Sequence, residues 1–214
     1  MKKSTIIMSV AILFATISTA SAQDGIKFGV KAGVNFAKMA VSGDEEEDAG
    51  LKALTSFQIG ALVDLPVSSA FSVQPGLTLS GKGSKATYSE EDYDAKWTTN
   101  IMYLEIPVNA VYKISSFYVG AGPYAAFAIS GKDKWTESYE GESESGDEKL
   151  TFGSGEDADY KRGDFGINIL AGYQLNSGIN IGVNYGLGLS NINPGSSDYK
   201  TKNRVFAVTV GFLF

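Results

Sequence analysis

The sequence predicts an all-β fold: an eight-stranded antiparallel up-and-down transmembrane β-barrel, preceded by a cleavable signal peptide. Three observations predict it. Eight runs alternate apolar side chains with small or polar ones. The second face of these runs is made mostly of Gly, Asn, Gln, Ser and Thr, with few charges. The connections between runs alternate between long and short.

The first element is the leader. Lys2 and Lys3 precede a mostly apolar stretch from Ile6 to Ile17, and Ala20-Ser21-Ala22 forms a small-residue cleavage site. This is the build of a secretory signal peptide, too short for a membrane anchor. The expected division is a signal peptide at 1–22 and a barrel domain at 23–214.

The eight runs follow in order. Period-two alternation marks strands, because successive side chains point to opposite faces. The apolar faces begin with Phe28, Val30, Ala32, Val34 and Phe36, then Phe57, Ile59, Ala61, Val63 and Leu65, then Phe71, Val73, Leu77 and Leu79. The fourth run sets Met102, Leu104, Ile106, Val108, Ala110 and Tyr112 on that face, and the fifth sets Phe117, Val119, Ala121, Ala125, Phe127 and Ile129. Phe165 to Leu175, Ile179 to Leu189 and Phe206 to Phe214 supply the last three, each at odd or even spacing throughout. A water-facing sheet would carry many more Lys and Glu opposite these residues. Small and amide side chains suit a narrow, packed lumen, which leaves the apolar face to lipid. Pro75, Pro107 and Pro123 fall inside runs and each removes a ladder donor, so bulges or local irregularity are expected there.

Long polar connections are expected at 41–54, 81–97, 131–163 and 191–202, and short ones at 66–70, 115–116 and 176–178. Such sorting suits a barrel with long outer loops, short periplasmic turns and both termini on the periplasmic side. Three of the long connections hold acidic clusters, at 44–48, 90–94 and 137–148. None has the ligand spacing of an EF-hand, and solvated loops are the better reading.

Composition narrows the function. There is no Cys and no His, which removes disulfides, Cys/His zinc sites, Ser-His-Asp triads and lipid attachment to an N-terminal cysteine. An enzyme is not expected, and neither is a cofactor. Without Lys2 and Lys3 the 18 basic residues become 16 against 24 acidic ones, a net charge of about −8 that makes nucleic acid an unsuitable partner. Gly81-Lys82-Gly83-Ser84-Lys85 lacks the spacing of a phosphate loop.

Two sets of residues carry functional expectations. Lys27, Lys31, Asp64, Glu105, Lys113 and Asp164 share the polar parity, so they should meet in the lumen as a polar network of paired charges. A narrow gated ion path is the sharper alternative. At the other set, the chain closes on Phe206, Phe212 and Phe214 of an outward-facing strand, a signal of the kind handed to the barrel-assembly machinery. Tyr112, Phe117, Tyr173, Phe71 and Phe214 are candidates for an aromatic girdle on the turn side.

Several segments together resemble the porin-like outer-membrane β-barrel family, often labelled PorT-like. They are Lys27-Phe28-Gly29-Val30-Lys31-Ala32-Gly33-Val34-Asn35, Tyr103-Leu104-Glu105-Ile106-Pro107-Val108, Tyr118-Val119-Gly120-Ala121-Gly122-Pro123-Tyr124, Asp164-Phe165-Gly166-Ile167 and the terminal strand. The resemblance implies an eight-stranded barrel in the outer membrane and places Pro107 and Pro123 within family-like segments. It names no activity. The leading expectation is a barrel with a side-chain-filled lumen, whose partners are the outer-membrane bilayer and something extracellular met by its loops. A narrow solute channel, a component assisting secretion or envelope assembly, and a barrel holding a ligand in its mouth are the alternatives.

Overall fold

The computed structural model describes residues 25–42, 50–140, 142–155, 157–195 and 199–214. The expected signal peptide and the acidic cluster at 44–48 lie outside the described residues. The strands are β1 (Lys27–Ser42), β2 (Leu51–Lys52), β3 (Leu54–Pro66), β4 (Phe71–Glu90), β5 (Tyr93–Ile114), β6 (Phe117–Tyr139), β7 (Glu142–Lys149), β8 (Gly163–Gln174), β9 (Ile179–Gly188) and β10 (Lys200–Leu213). Eight of them run in the order β4-β3-β1-β10-β9-β8-β6-β5, and β4 pairs with β5 to close the ring. Every pairing between them is antiparallel. β2 lies along β4 and β7 along β6, as additions at one end.

Closure joins the ends of the chain: β1 pairs with β10 from Gly29↔Leu213 to Ser42↔Lys200. The expected long-short sorting of connections holds only in part: the short turns are where they were expected, but β4 and β5 are joined by Glu91 and Asp92 alone, as short a turn as Ser115-Ser116. Short turns join β3 to β4, β5 to β6 and β8 to β9 at the end where β1 begins and β10 finishes. Gly178 takes the last of these turns at φ 91°, a conformation that a residue with a Cβ adopts at a cost.

The distribution of side chains is inverted relative to a soluble protein. Phe57, Ile59, Ile106, Phe127, Ile169 and Val210 are each more than half exposed, while Asn35, Asp64, Thr78, Asp164 and Asn203 are at most 1% exposed. Apolar side chains left outward cost nothing in hydrocarbon, and closure satisfies every strand edge of the ring. On β5 the outward apolar band runs from Met102 to Ile114. At about 3.3 Å per residue and a tilt of about 40° it is about 30 Å tall, enough to cross a bilayer core. The short-turn rim carries the aromatic pairs: Phe117 meets Tyr173 edge-on at 4.9 Å, and Phe212 meets Phe214 at 5.2 Å.

One expectation needs correction. The segments 81–97 and 131–149 are not loops. β4 continues to Glu90, β5 starts at Tyr93, β6 reaches Tyr139 and β7 returns along it, so the barrel wall extends well past the apolar band as a β-sheet. The acidic residues of 90–94 and 137–148 therefore stand mostly on strands. The local irregularity expected at the prolines is present, without register shifts. Pairing instead lapses beside them, between Leu62↔Gly76 and Leu65↔Val73, between Pro75↔Val108 and Thr78↔Glu105, and between Pro107↔Tyr124 and Ala110↔Ala121, with the register resumed unchanged. The bulge lies elsewhere: beside Met102/Tyr103, where β6 spends an extra residue between Ala128 and Ser130.

Candidate functional site

The lumen is built in layers, each fixed by strand register. At the outer end, Met39, Ile101, Tyr103, Ala128 and Ile192 form an apolar lid, with Ile192 brought in by the connection after β9. Below it, Lys82 of β4 lies opposite Ile101 and reaches across the lumen. Its Nζ stands 2.8 Å from Glu105 Oε2 and 3.1 Å from Asp164 Oδ2. It also lies 4.1 Å from the centre of the Tyr124 ring and 5.3 Å from that of Tyr103, both in cation–π range.

Each carboxylate has further donors. Asp164 accepts from Asn203 Nδ2 at 3.0 Å, from the Tyr124 hydroxyl at 3.3 Å and from Ser190 at 3.2 Å. Glu105 accepts from Asn168 Nδ2 at 3.2 Å, and Asn184 donates on to Asn168. Beside this layer, Asn35 donates to Ser80 Oγ and to the Gly81 carbonyl, each at 3.0 Å. Burying charges this deep is tolerated only when they are paired and hydrogen-bonded, and the charged groups of this layer meet that condition. The Tyr103 hydroxyl and the Oδ1 atoms of Asn35 and Asn203, by contrast, have no hydrogen-bond partner among the described residues.

The inner half is less completely filled. A cavity of about 60 Å³ is lined by Lys31, Gln74, Asn109, Lys113, Tyr118, Asn180 and their neighbours. At its short-turn end Lys113 Nζ lies 2.5 Å from Asp64 Oδ2, and Gln74 donates to the same carboxylate at 3.0 Å.

The structure thus brings five of the six expected lumen residues inside, in two groups. Glu105 and Asp164 meet at Lys82, Asp64 pairs with Lys113, and Lys31 lines the cavity between them. Lys27 is the exception: it stands exposed at the short-turn rim, opposite Asp64 in register but without an ion pair among the described residues. Lys82, at the centre of the outer group, was missed. Between Gly81 and Gly83 it lacks apolar neighbours in sequence, and the strand's course through 81–90 is visible only in its pairing with β5. Lys31, Lys82 and Lys113 against Asp64, Glu105 and Asp164 make three cations and three carboxylates, so this set is neutral overall.

Glu105→Gln keeps the shape and the Asn168 contact but leaves Lys82 with one carboxylate. The expected result is a loss of about 1–3 kcal/mol, read as a lower temperature for loss of the compact electrophoretic form. An unchanged midpoint would count against the pairing.

The model for the outer membrane protein beta-barrel domain matches residues 21–193. The chain belongs to this family. Its place is accordingly the outer membrane. No curated protein sequence matches the chain. Among solved structures it is similar to the attachment invasion locus protein Ail of Yersinia pestis, at 16% identity and a TM-score of 0.40, over 88% of this chain and 98% of that one. It is also similar to Neisserial surface protein A, at 12% identity and 0.43, over 89% and 100%. The outer membrane protease OmpT of Escherichia coli follows at 10% identity and 0.41, over 90% and 98%. Likenesses this distant carry no functional argument, and the chemistry of the chain rests on its own residues.

Proposed function

We propose that this chain is a plugged outer-membrane barrel, a non-catalytic platform that holds its extended outer hairpins rigid for an extracellular partner. The observation that carries this reading is the double closure of the lumen, by the Ile101–Tyr103–Ile192 lid and by the Lys82–Glu105–Asp164 layer beneath it. Eight strands leave only enough interior for side chains, and here they fill its outer half. The cavity around Lys31 lies on the inner side of that layer. The two carboxylates that come together are both committed to Lys82, which leaves neither free as a general base. The outward side chains of the last strand from Phe206 onward, Val208, Val210 and Phe212 among them, are all apolar, and this is the face that the assembly machinery would read.

Purified protein in planar bilayers is expected to show no conductance steps, and intact cells are expected to expose the β6–β7 hairpin to added protease. Regular single-channel steps would restore the narrow-channel reading. Protection of the hairpin on intact cells would remove the display reading.

A further inference from the structure

Above the apolar band the alternation continues with a different chemistry. In β6 the order Lys132-Asp133-Lys134-Trp135-Thr136-Glu137 sends Lys132, Lys134 and Thr136 to the face continuous with the lipid-facing wall. Asp133, Trp135 and Glu137 take the other face. β7 sorts likewise: Asp147 and Lys149 lie opposite Lys134 and Lys132, while Glu144 and Glu148 lie opposite Glu137 and Asp133. In the same registers Lys85 of β4 lies opposite Thr98, which lies opposite Lys134. A chain of net charge −6 has thus gathered lysines on one outward face and turned most of the local acids away from it.

The height of this face is set by register. Lys132 lies opposite Asn100, one outward position above Met102, the last residue of the apolar band on β5. That is about 5 Å further along the barrel axis, and Lys134 is one outward position higher, both at the level of lipid headgroups. The surface there is also concave. A hollow of about 970 Å³ is lined by Lys132, Lys134, Lys149 and Arg162 and by the outward apolar Met102 and Ile129, with Phe152, which packs against the inner lid, closing one side. Arg162 is held in place by donating to the Ala128 and Phe152 carbonyls, each at 3.4 Å, and its guanidinium lies 5.8 Å from the lipid-facing Phe127 ring. Lys132 pairs with Asp147 at 2.5 Å, an exposed contact. Lys134 and Lys149 stand in no ion pair among the described residues.

We propose that this hollow binds the phosphorylated headgroup of an outer-leaflet lipid: Lys134, Lys149 and Arg162 hold the phosphate, Lys132 supports them, and an acyl chain descends over Ile129 and Met102. The proposal rests on the outward orientation of the hairpins given above. An anion free in solution would meet the acidic side of these hairpins as readily as the basic one, whereas a lipid phosphate is confined to the height at which the cations sit. The apolar base has no use for a free phosphate but continues the surface on which acyl chains lie. The neighbouring Asp147 carboxyl is held below the usual range, first by its hydrogen bond to Lys132 and then by the charges of Lys132, Lys134 and Lys149. This is the response expected of a dense local cation cluster.

The test is titration of the full-length protein, in zwitterionic detergent, with diphosphoryl lipid A, followed by the fluorescence of Trp97 and Trp135. Saturable binding is expected, and the triple variant Lys134→Gln, Lys149→Gln, Arg162→Gln should weaken it about 100-fold. The Lys200→Gln, Lys202→Gln variant on β10 should bind as the native protein does. Both variants should keep the heat-modifiable electrophoretic shift of a folded barrel. Inorganic phosphate at equal concentration should not compete. Triple-variant affinity within threefold of native, equal weakening by the β10 variant, or competition by inorganic phosphate would each overturn the proposal. Failure of the display reading shows separately, as protease protection of the hairpin on intact cells.

Discussion

Replacing Lys82 by Met is expected to destabilise the barrel by about 3–5 kcal/mol, more than any other single change in the lumen. Lys82 is 2% exposed and is the one cation within ion-pair distance of both Glu105 and Asp164 among the described residues. Met fills nearly the same volume, so the change is electrostatic rather than a cavity. It leaves two carboxylates facing one another across a buried layer, with only amides and hydroxyls to hold them. Tyr103 and Tyr124 also lose the ammonium they flank. Urea unfolding in lipid vesicles measures the effect. The companion variant Lys82→Met, Glu105→Gln, Asp164→Asn removes the stranded charges and should recover most of the loss, because a buried ion cluster replaced as a unit is often near neutral. If the single variant unfolds with the native midpoint, the cluster is hydrated and the lumen is not closed at this level.

The same residue shows where reading a sequence stops. The eight barrel strands, their outward faces and the short turns beside the start of β1 were legible because lipid imposes one rule on every outward side chain between, for example, Met102 and Ile114. Glu105, Asp164, Asp64 and Lys113 followed from parity alone, since a charge on the inward parity of a lipid-spanning strand has nowhere else to go. Which charge meets which was not legible, because pairing across the lumen depends on the stagger between strands 82 residues apart in sequence, as for Lys82 and Asp164. The extensions of β4, β5 and β6 read as loops in the sequence because the apolar half of the alternation ends at the membrane surface. The ladder does not end there. A signal was present in Lys132-Asp133-Lys134-Trp135-Thr136-Glu137, whose period of two is carried by the sign of charge instead of by hydropathy. Lys27 shows the opposite limit: it has the right parity but stands exposed at the rim, where β1 begins.

Gly166→Val is the second change expected to have a large effect, and its cause is steric. Gly166 faces inward on β8, opposite Tyr124 on one side and Gly188 on the other. A Cβ there would lie 2.2 Å from the Leu187 carbonyl oxygen and 2.6 Å from the Tyr124 ring. The ring could swing away, but the carbonyl belongs to the backbone of β9, beside the β8–β9 ladder, and moves only with the strand. Overpacking of this kind costs about 1–3 kcal/mol. Here a second loss is added, because the displaced Tyr124 is one of the donors to Asp164 and flanks Lys82. Gly166→Ala carries the same Cβ and should show a large part of the effect. Gly155, whose added Cβ would meet nothing within 4 Å, provides the contrast, and Gly155→Val should stay within about 0.5 kcal/mol of the native protein. The comparison separates two causes, since a general intolerance of added bulk would lower both midpoints, whereas tight packing around Tyr124 lowers only the first. Equal urea midpoints for the Gly166 and Gly155 variants would mean that the Tyr124 ring is not held against β8, and the ionic layer would then lack its side wall.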